Sequence, residues 1–221
     1  MKLTNWLVSI VPRPPRVSPD RILAAAALEF AERGFAGARV DRIARRARVN
    51  KAMLYYHFAS KQGLYRTLLR RMFSRAADRL QQVAAARQPP SAKIEHAIAA
   101  MAAFIDEHAF FPAIMLREVA EAGAHLDRET LKALGAVPRV IGSIVHEGVA
   151  AGEFRPIHPV VVYFSMLAPV VFFLAGTPIR KEIAHLHLAD LASLSPGEFV
   201  RQLQEAARRS LARDRARGTK S

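Results

Sequence analysis

Residues 34 to 64, GFAGARVDRIARRARVNKAMLYYHFASKQGL, constrain the fold of this chain more than any other stretch, because they read as two short helices bent about a tight turn. Val40, Ile43, Ala44 and Ala47 recur at the i, i+3, i+4, i+7 spacing of one buried helical face. A helix that short is not stable alone, so a neighbour must cover the face. Val49 closes a three-residue turn, Asn50 suits the N-cap of a second helix, and Leu54 with Phe58 gives that helix an inner face. Its outer face then carries Lys51, Ala52, Met53, Tyr55, Tyr56 and His57.

Two helices joined in this way form a helix-turn-helix, whose second helix enters the major groove while the first crosses the backbone. The residue types on the outer face suit that use. Ala52 is small enough to let the helix sit deep, Lys51 and Met53 reach base edges, and Tyr55, Tyr56 and His57 offer donors to phosphate. Lys61 begins the following helix, where an ammonium can hold the same phosphate ridge. Charge agrees with the motif: residues 1 to 75 hold sixteen Lys or Arg against four acids, so +12 of the net +14 lies in the first third. Residues 76 to 200 sum to −3 and the remainder to +5. A basic module joined to a near-neutral one is the electrostatic footprint of a polyanion partner.

These residues resemble the TetR-type transcriptional regulators. The resemblance rests on Gly34-Phe35, Ile43-Ala44 with Ala47 and Val49, then Leu54-Tyr55-Tyr56-His57-Phe58, Ser60-Lys61 and Leu64, and it covers about residues 18 to 65. It implies an all-α fold of about nine helices: a three-helix DNA-binding domain over 18–65 and a ligand-binding and dimerisation bundle over 66–214. An extended basic arm, 1–17, and a basic tail, 215–221, flank them. It further implies a homodimer on a pseudo-palindromic operator, most simply a repressor, released by a small apolar or amphipathic inducer.

Two residues depart from the family's pattern. Arg48 stands in the turn where most members have Gly, and a non-Gly residue in a left-handed conformation costs about 1–2 kcal/mol. Either the turn is reshaped or the strain is tolerated. Arg39 precedes Val40 where the family usually places a capping Ser or Thr; its guanidinium can still meet phosphate, but a hydroxyl cap is lost.

Elsewhere the pattern is helical. Ser18-Pro19 opens helix 1, Gly34 ends it, and Ile22, Leu23, Ala26, Ala27 and Phe30 form its inner stripe. A long fourth helix from Lys61 to about Arg87 joins the DNA module to the bundle. Ser91 is expected to cap a fifth helix to about His108, and Phe110 to Gly123 to make a sixth. A seventh runs from Asp127 to about Gly152 with a kink at Pro138, and Ser195-Pro196 opens a ninth, to about Arg213. Residues 178 to 194 fit no pattern clearly. The eighth, 157 to 177, is free of formal charge at a length near the roughly 20 residues of a spanning helix. Pro169 interrupts it, and a helix apolar all round also suits a bundle core or a dimer interface. No membrane association is expected.

A pocket is expected among the middle helices, lined by Met101, Phe104, Ile105, His108, Phe111, Met115, Glu118, Tyr163, Met166 and Phe173, since Met and aromatic side chains form adaptable apolar cavities. The same residues at helical spacing also describe an ordinary bundle core. Glu118 is the anomaly, a carboxylate in register with Phe111 and Met115, suited to a cationic ligand or to an ion pair with Arg117 or another bundle residue. Val171, Phe199, Leu203 and Ala207 are expected at the dimer interface.

Other classes find less support. The chain has no cysteine, which excludes thiol chemistry and fits a reducing cytoplasm, and its apolar N-terminal run is too short for a signal peptide. Glu182, His185 and His187 lack the spacing of a zinc hydrolase, and neither a phosphate loop nor a nucleophile elbow is present. No enzyme, cofactor or metal is therefore expected. An architectural DNA-coating protein would not use so acidic a middle segment.

Overall fold

The computed structural model describes residues 18–191 and 193–213; the expected N-terminal arm and basic tail lie outside them. Ser18 accepts a hydrogen bond from the Asp20 N–H and opens α1, Pro19–Gly37, which bends at Gly34. Gly34 has φ 67°, a left-handed conformation that glycine adopts without Cβ strain, and its bare Cα also admits the Arg117 guanidinium from α6. Next come α2, Val40–Ala47, and α3, Lys51–Phe58. Ser60 then caps α4, Lys61–Ala85, by accepting from the Gly63 N–H at 2.9 Å. Gly63 is required there, because a Cβ would stand 2.2 Å from the Phe58 carbonyl oxygen.

With 25 residues α4 is about 37 Å long, and it buries Leu64, Leu68, Met72, Ala76 and Leu80 along one side. It packs against α1 near its start and against the bundle beyond: α5 (Pro90–Glu107), α7 (Arg128–Leu134) and α8 (Ala136–Ala150). Between α5 and α7 lies α6, Phe111–Ala120, which contacts α1. The bundle is completed by α9, Pro159–Ala175, α10, Thr177–His185, and α11, Pro196–Leu211. Among the described residues there is no strand; Phe154 and Ala212 form one isolated bridge.

Several boundaries differ from expectation. The single helix expected from Asp127 to Gly152 breaks at Gly135 into α7 and α8, just ahead of Pro138, whose ring crowds the carbonyl four residues back. Ser91 does not cap α5: the helix begins at Pro90, and the Ser91 N–H donates to Glu153 Oε1 at 3.0 Å. Pro169 does not break α9. The helix loosens instead into a π-turn over Tyr163–Leu167, which accommodates the missing N–H. Part of the unpatterned 178–194 segment is α10, a short helix with no buried residue. No single helix among the described residues is long and apolar enough to cross a membrane, and α9 meets α10 at 56°.

Candidate nucleic-acid interface

Arg48 takes the left-handed conformation, φ 52° and ψ 49°, so the strain is tolerated. Its N–H donates to the Arg45 carbonyl at 3.0 Å, and the Val49 N–H reaches back to Ala44 at 2.9 Å, so two end carbonyls of α2 are satisfied. Asn50 caps α3 by accepting from the Met53 N–H at 2.8 Å. At the other end of α2 no side chain from Arg39 acts as a cap. The buried Glu29 of α1 stands in: it accepts from the Arg39 N–H at 3.2 Å and from Arg42 Nε at 2.8 Å. A carboxylate at that position also complements the positive end of the helix dipole. Sequence reading missed Glu29, whose only signal was an acid embedded in the apolar stripe AAAALEF.

Leu54 and Phe58 fix the inner face of α3 in the core, which turns the rest outward. Arg39, Arg48, Asn50, Lys51, Ala52, Tyr55 and Tyr56 are exposed, the last at 84%, while Met53 and His57 are half-buried. The Tyr56 and His57 rings meet edge to face at 5.3 Å. Lys51 pairs with Asp41 of α2 across the turn. Lys61 differs from its expected placement. Its ammonium turns inward and donates to the carbonyls of Phe35 at 2.8 Å, Ala38 at 3.1 Å and Ala36 at 3.4 Å, over the Phe35 ring. All three donors are thereby used at the end of α1, where they satisfy carbonyls that a helix terminus leaves open.

The bundle contains an apolar cavity of about 230 Å³ between α4, α5, α6, α8 and α9. Met101, Phe111, Met115 and Tyr163 line it as expected. The sequence reading missed Phe73 and Ala76 on α4. Phe164 and Phe172 also line it and are largely exposed, so the cavity opens at the surface of α9. Among the described residues no lining side chain carries a charge. Burial pushes the Tyr163 hydroxyl's pKa up, which leaves it a neutral donor.

Other expected pocket residues do not face this cavity. Phe104 and Ile105 are core, and His108 stacks on Phe104 at 4.5 Å while its Nδ1 bonds the Phe104 carbonyl. Met166 is buried elsewhere in the core. Phe173 is sandwiched between the Phe199 ring, parallel at 3.9 Å, and the Arg180 guanidinium. Glu118 points to the DNA module, pairing with Tyr65 and His125 in place of Arg117.

Of the expected interface residues, Ala207 is buried within one copy and Val171, Phe199 and Leu203 are half-buried. Ala207 is completely buried on a helix that packs against α5, Val171 lines the cavity, and Phe199 stacks on Phe173; Leu203 is half-buried against the core. Helical periodicity identified their apolar stripe correctly but could not say which surface covers it. Exposed apolar side chains on α9 and α10 include Val160, Val161, Phe164, Phe172 and Ile179, and others stand on α6 at Leu116 and Val119 and on α7 at Leu131. Glu182, His185 and His187 form no ligand cluster among the described residues.

A half-exposed basic helix-turn-helix joined by one long helix to a bundle with an apolar cavity defines a DNA-binding transcriptional regulator. Comparison with known proteins narrows the class. Residues 22–68 match the family described as bacterial regulatory proteins, tetR family, and residues 90–196 match the tetracyclin repressor-like C-terminal domain. The chain belongs to the TetR family. It is 28% identical over 201 residues to the HTH-type transcriptional repressor NicS of Pseudomonas putida, covering 88% of this chain and 92% of that one. A shorter match, 46% over 57 residues, relates it to the HTH-type transcriptional repressor SCO4008 of Streptomyces coelicolor, covering 26% of this chain and 30% of that protein. Among solved structures, the fatty acid degradation regulator FadR of Bacillus halodurans has the same fold, with TM-score 0.69 at 16% identity over 86% of this chain and 94% of that one. The Bacillus subtilis FadR, solved with stearoyl-CoA, superposes with TM-score 0.65 at 16% identity, covering 87% and 98%.

Proposed function

We infer that this chain is a homodimeric repressor that binds a pseudo-palindromic operator through two copies of α3 and releases it when a small molecule fills the cavity. One observation carries the coupling. Phe73 and Ala76 line the cavity from α4, the same helix whose first residue follows the recognition helix within three positions. An occupant that pushes on α4 near Phe73 acts about 18 Å from Lys61, so a tilt of a few degrees moves α3 by more than an ångström. Release follows if the occupant prefers the tilted state.

In this reading Arg39, Arg48, Tyr55, Tyr56 and His57 position the duplex on its phosphates, while Lys51, Ala52 and Met53 meet base edges. Lys51 exchanges Asp41 for DNA at little cost, because an exposed ion pair contributes only about 0–1 kcal/mol. The charge-free lining suits an apolar occupant with one polar group for the Tyr163 hydroxyl. The exposed faces of α9 and α10 bury their apolar side chains against a second copy, which also closes the cavity mouth. The protein acts in the cytoplasm, where its DNA is, and catalyses no reaction.

Sequencing the duplexes that the purified protein retains from a random pool tests the reading. A two-fold symmetric site is expected; retention without sequence preference would favour a coating protein. Sedimentation of F172E tests the dimer, since a charge in that patch should give monomers. A variant that stays dimeric would move the interface elsewhere.

A further inference from the structure

Where the DNA module meets the bundle, a set of metal-ligating side chains converges that neither α3 nor the cavity uses. Glu118 of α6 is 1% exposed. Its Oε1 accepts from the Tyr65 hydroxyl at 2.7 Å and lies 2.9 Å from His125 Nδ1, while its Oε2 is buried with no hydrogen-bond partner among the described residues. The same His125 nitrogen lies 3.2 Å from Glu121 Oε2. One donor atom from each of Glu118, Glu121 and His125 falls within 4.8 Å of the others, the one such group among the described residues.

A buried carboxylate oxygen without a partner is costly, and the usual remedy is a cation. Neither nearby arginine bonds the Glu118 carboxylate: Arg66 Nε donates to the His125 carbonyl at 2.9 Å, and the Arg117 guanidinium packs against Gly34. The imidazole is held in place, with Phe35 at 4.1 Å and Tyr65 edge-on at 5.6 Å. Two carboxylates and an imidazole make an O,O,N donor set suited to a small divalent transition metal. Two ligands of one tetrahedral ion sit roughly 3.3–3.6 Å apart, given bonds of about 2.0–2.2 Å, so the observed 2.9 and 3.2 Å separations must open by a few tenths of an ångström to admit it. The Tyr65 hydroxyl, donating to Glu118 Oε1, orients that carboxylate from the outer sphere.

We propose that Glu118, Glu121 and His125 bind one first-row divalent metal ion, of which Zn²⁺ is the representative, and that the ion fixes how the DNA module sits on the bundle. The site spans α6, the α6–α7 connection and, through Tyr65 and Phe35, the start of α4 and the end of α1. Its regulatory half rests on the DNA-binding reading above; its metal half does not.

Calorimetric titration of Zn²⁺ into the chelator-stripped full chain should show one ion per chain, and Co²⁺ should give the intense visible bands of a four-coordinate site. Glu118→Gln and His125→Gln should abolish that site, Tyr65→Phe should weaken it by about 10–100-fold, and the exposed-histidine control His185→Gln should leave it intact. Circular dichroism melts of each variant separate lost ligation from lost folding, and Zn²⁺ should raise the wild-type melting temperature but not that of His125→Gln. Absence of a saturable site, or its survival in both Gln variants, would overturn the proposal. With a selected duplex, Zn²⁺ should change affinity several-fold in wild type only; no change overturns the coupling. A chain that selects no duplex defeats the regulator reading and leaves the calorimetry to decide the metal site.

Discussion

Replacing Arg48 with glycine should make the protein more stable while weakening its hold on DNA. Arg48 sits at φ 52°, ψ 49°, where a side chain crowds its own carbonyl at a cost of about 1–2 kcal/mol that glycine does not incur. Glycine loses more backbone freedom on folding, about 0.5–1 kcal/mol, so the net gain is roughly 0.5–1 kcal/mol. For a chain of this size that raises the melting temperature by about 1–4 °C. The hydrogen bonds of the turn use only backbone groups and survive the change. Arg48→Ala is the control: it keeps the strain and removes the guanidinium, so its melting temperature should stay near wild type. Both variants should lose DNA affinity equally, with the slope of log affinity against log salt shallower by about 0.9 for each phosphate contact removed. Thermal melts followed by circular dichroism and duplex titrations from 50 to 200 mM salt provide the readouts. If Arg48→Gly melts below Arg48→Ala, the strain account is wrong.

Lys61→Ala removes three charge-assisted bonds to the end of α1 and should cost about 1–3 kcal/mol in a thermal melt; unchanged stability with reduced DNA affinity would instead restore the phosphate role. Gly63→Ala places a Cβ against the Phe58 carbonyl and should destabilise by about 1–3 kcal/mol, whereas an unaltered melting curve would mean that α4 starts later. Tyr56→Ala and His57→Ala should weaken binding to specific and random duplexes alike. Lys51→Ala or Met53→Ala should also alter the preferred sequence by about 1–3 kcal/mol, and equal losses on both duplexes would remove them from base reading.

The helix-turn-helix was legible because its signals are local. Apolar spacing at Val40, Ile43, Ala44 and Ala47, the Asn50 cap and the left-handed demand at Arg48 each reside within a few residues. What escaped depends on distant partners. Glu118 stood out as anomalous, yet nothing near it in the chain names Tyr65, 53 positions away, as its hydrogen-bond donor. Lys61 reads as a phosphate ligand by position and becomes a helix terminator only when α1 folds back beside it. Glu29 replaces a missing hydroxyl cap from ten residues upstream. The α9 stripe was recognised as apolar, but periodicity cannot apportion a stripe between core, cavity and partner. α10 buries no residue, so no core stripe marked it.

The π-turn over Tyr163–Leu167 holds one residue more than an α-turn, and Tyr163, Phe164 and Leu167 within it line the cavity. A surplus residue sets every later side chain about 100° out of phase with an unbroken helix. Pro169 holds the wider turn in place, because its missing N–H is what that turn accommodates. The wall of α9 therefore meets the cavity in two phases, one before the turn and one after it.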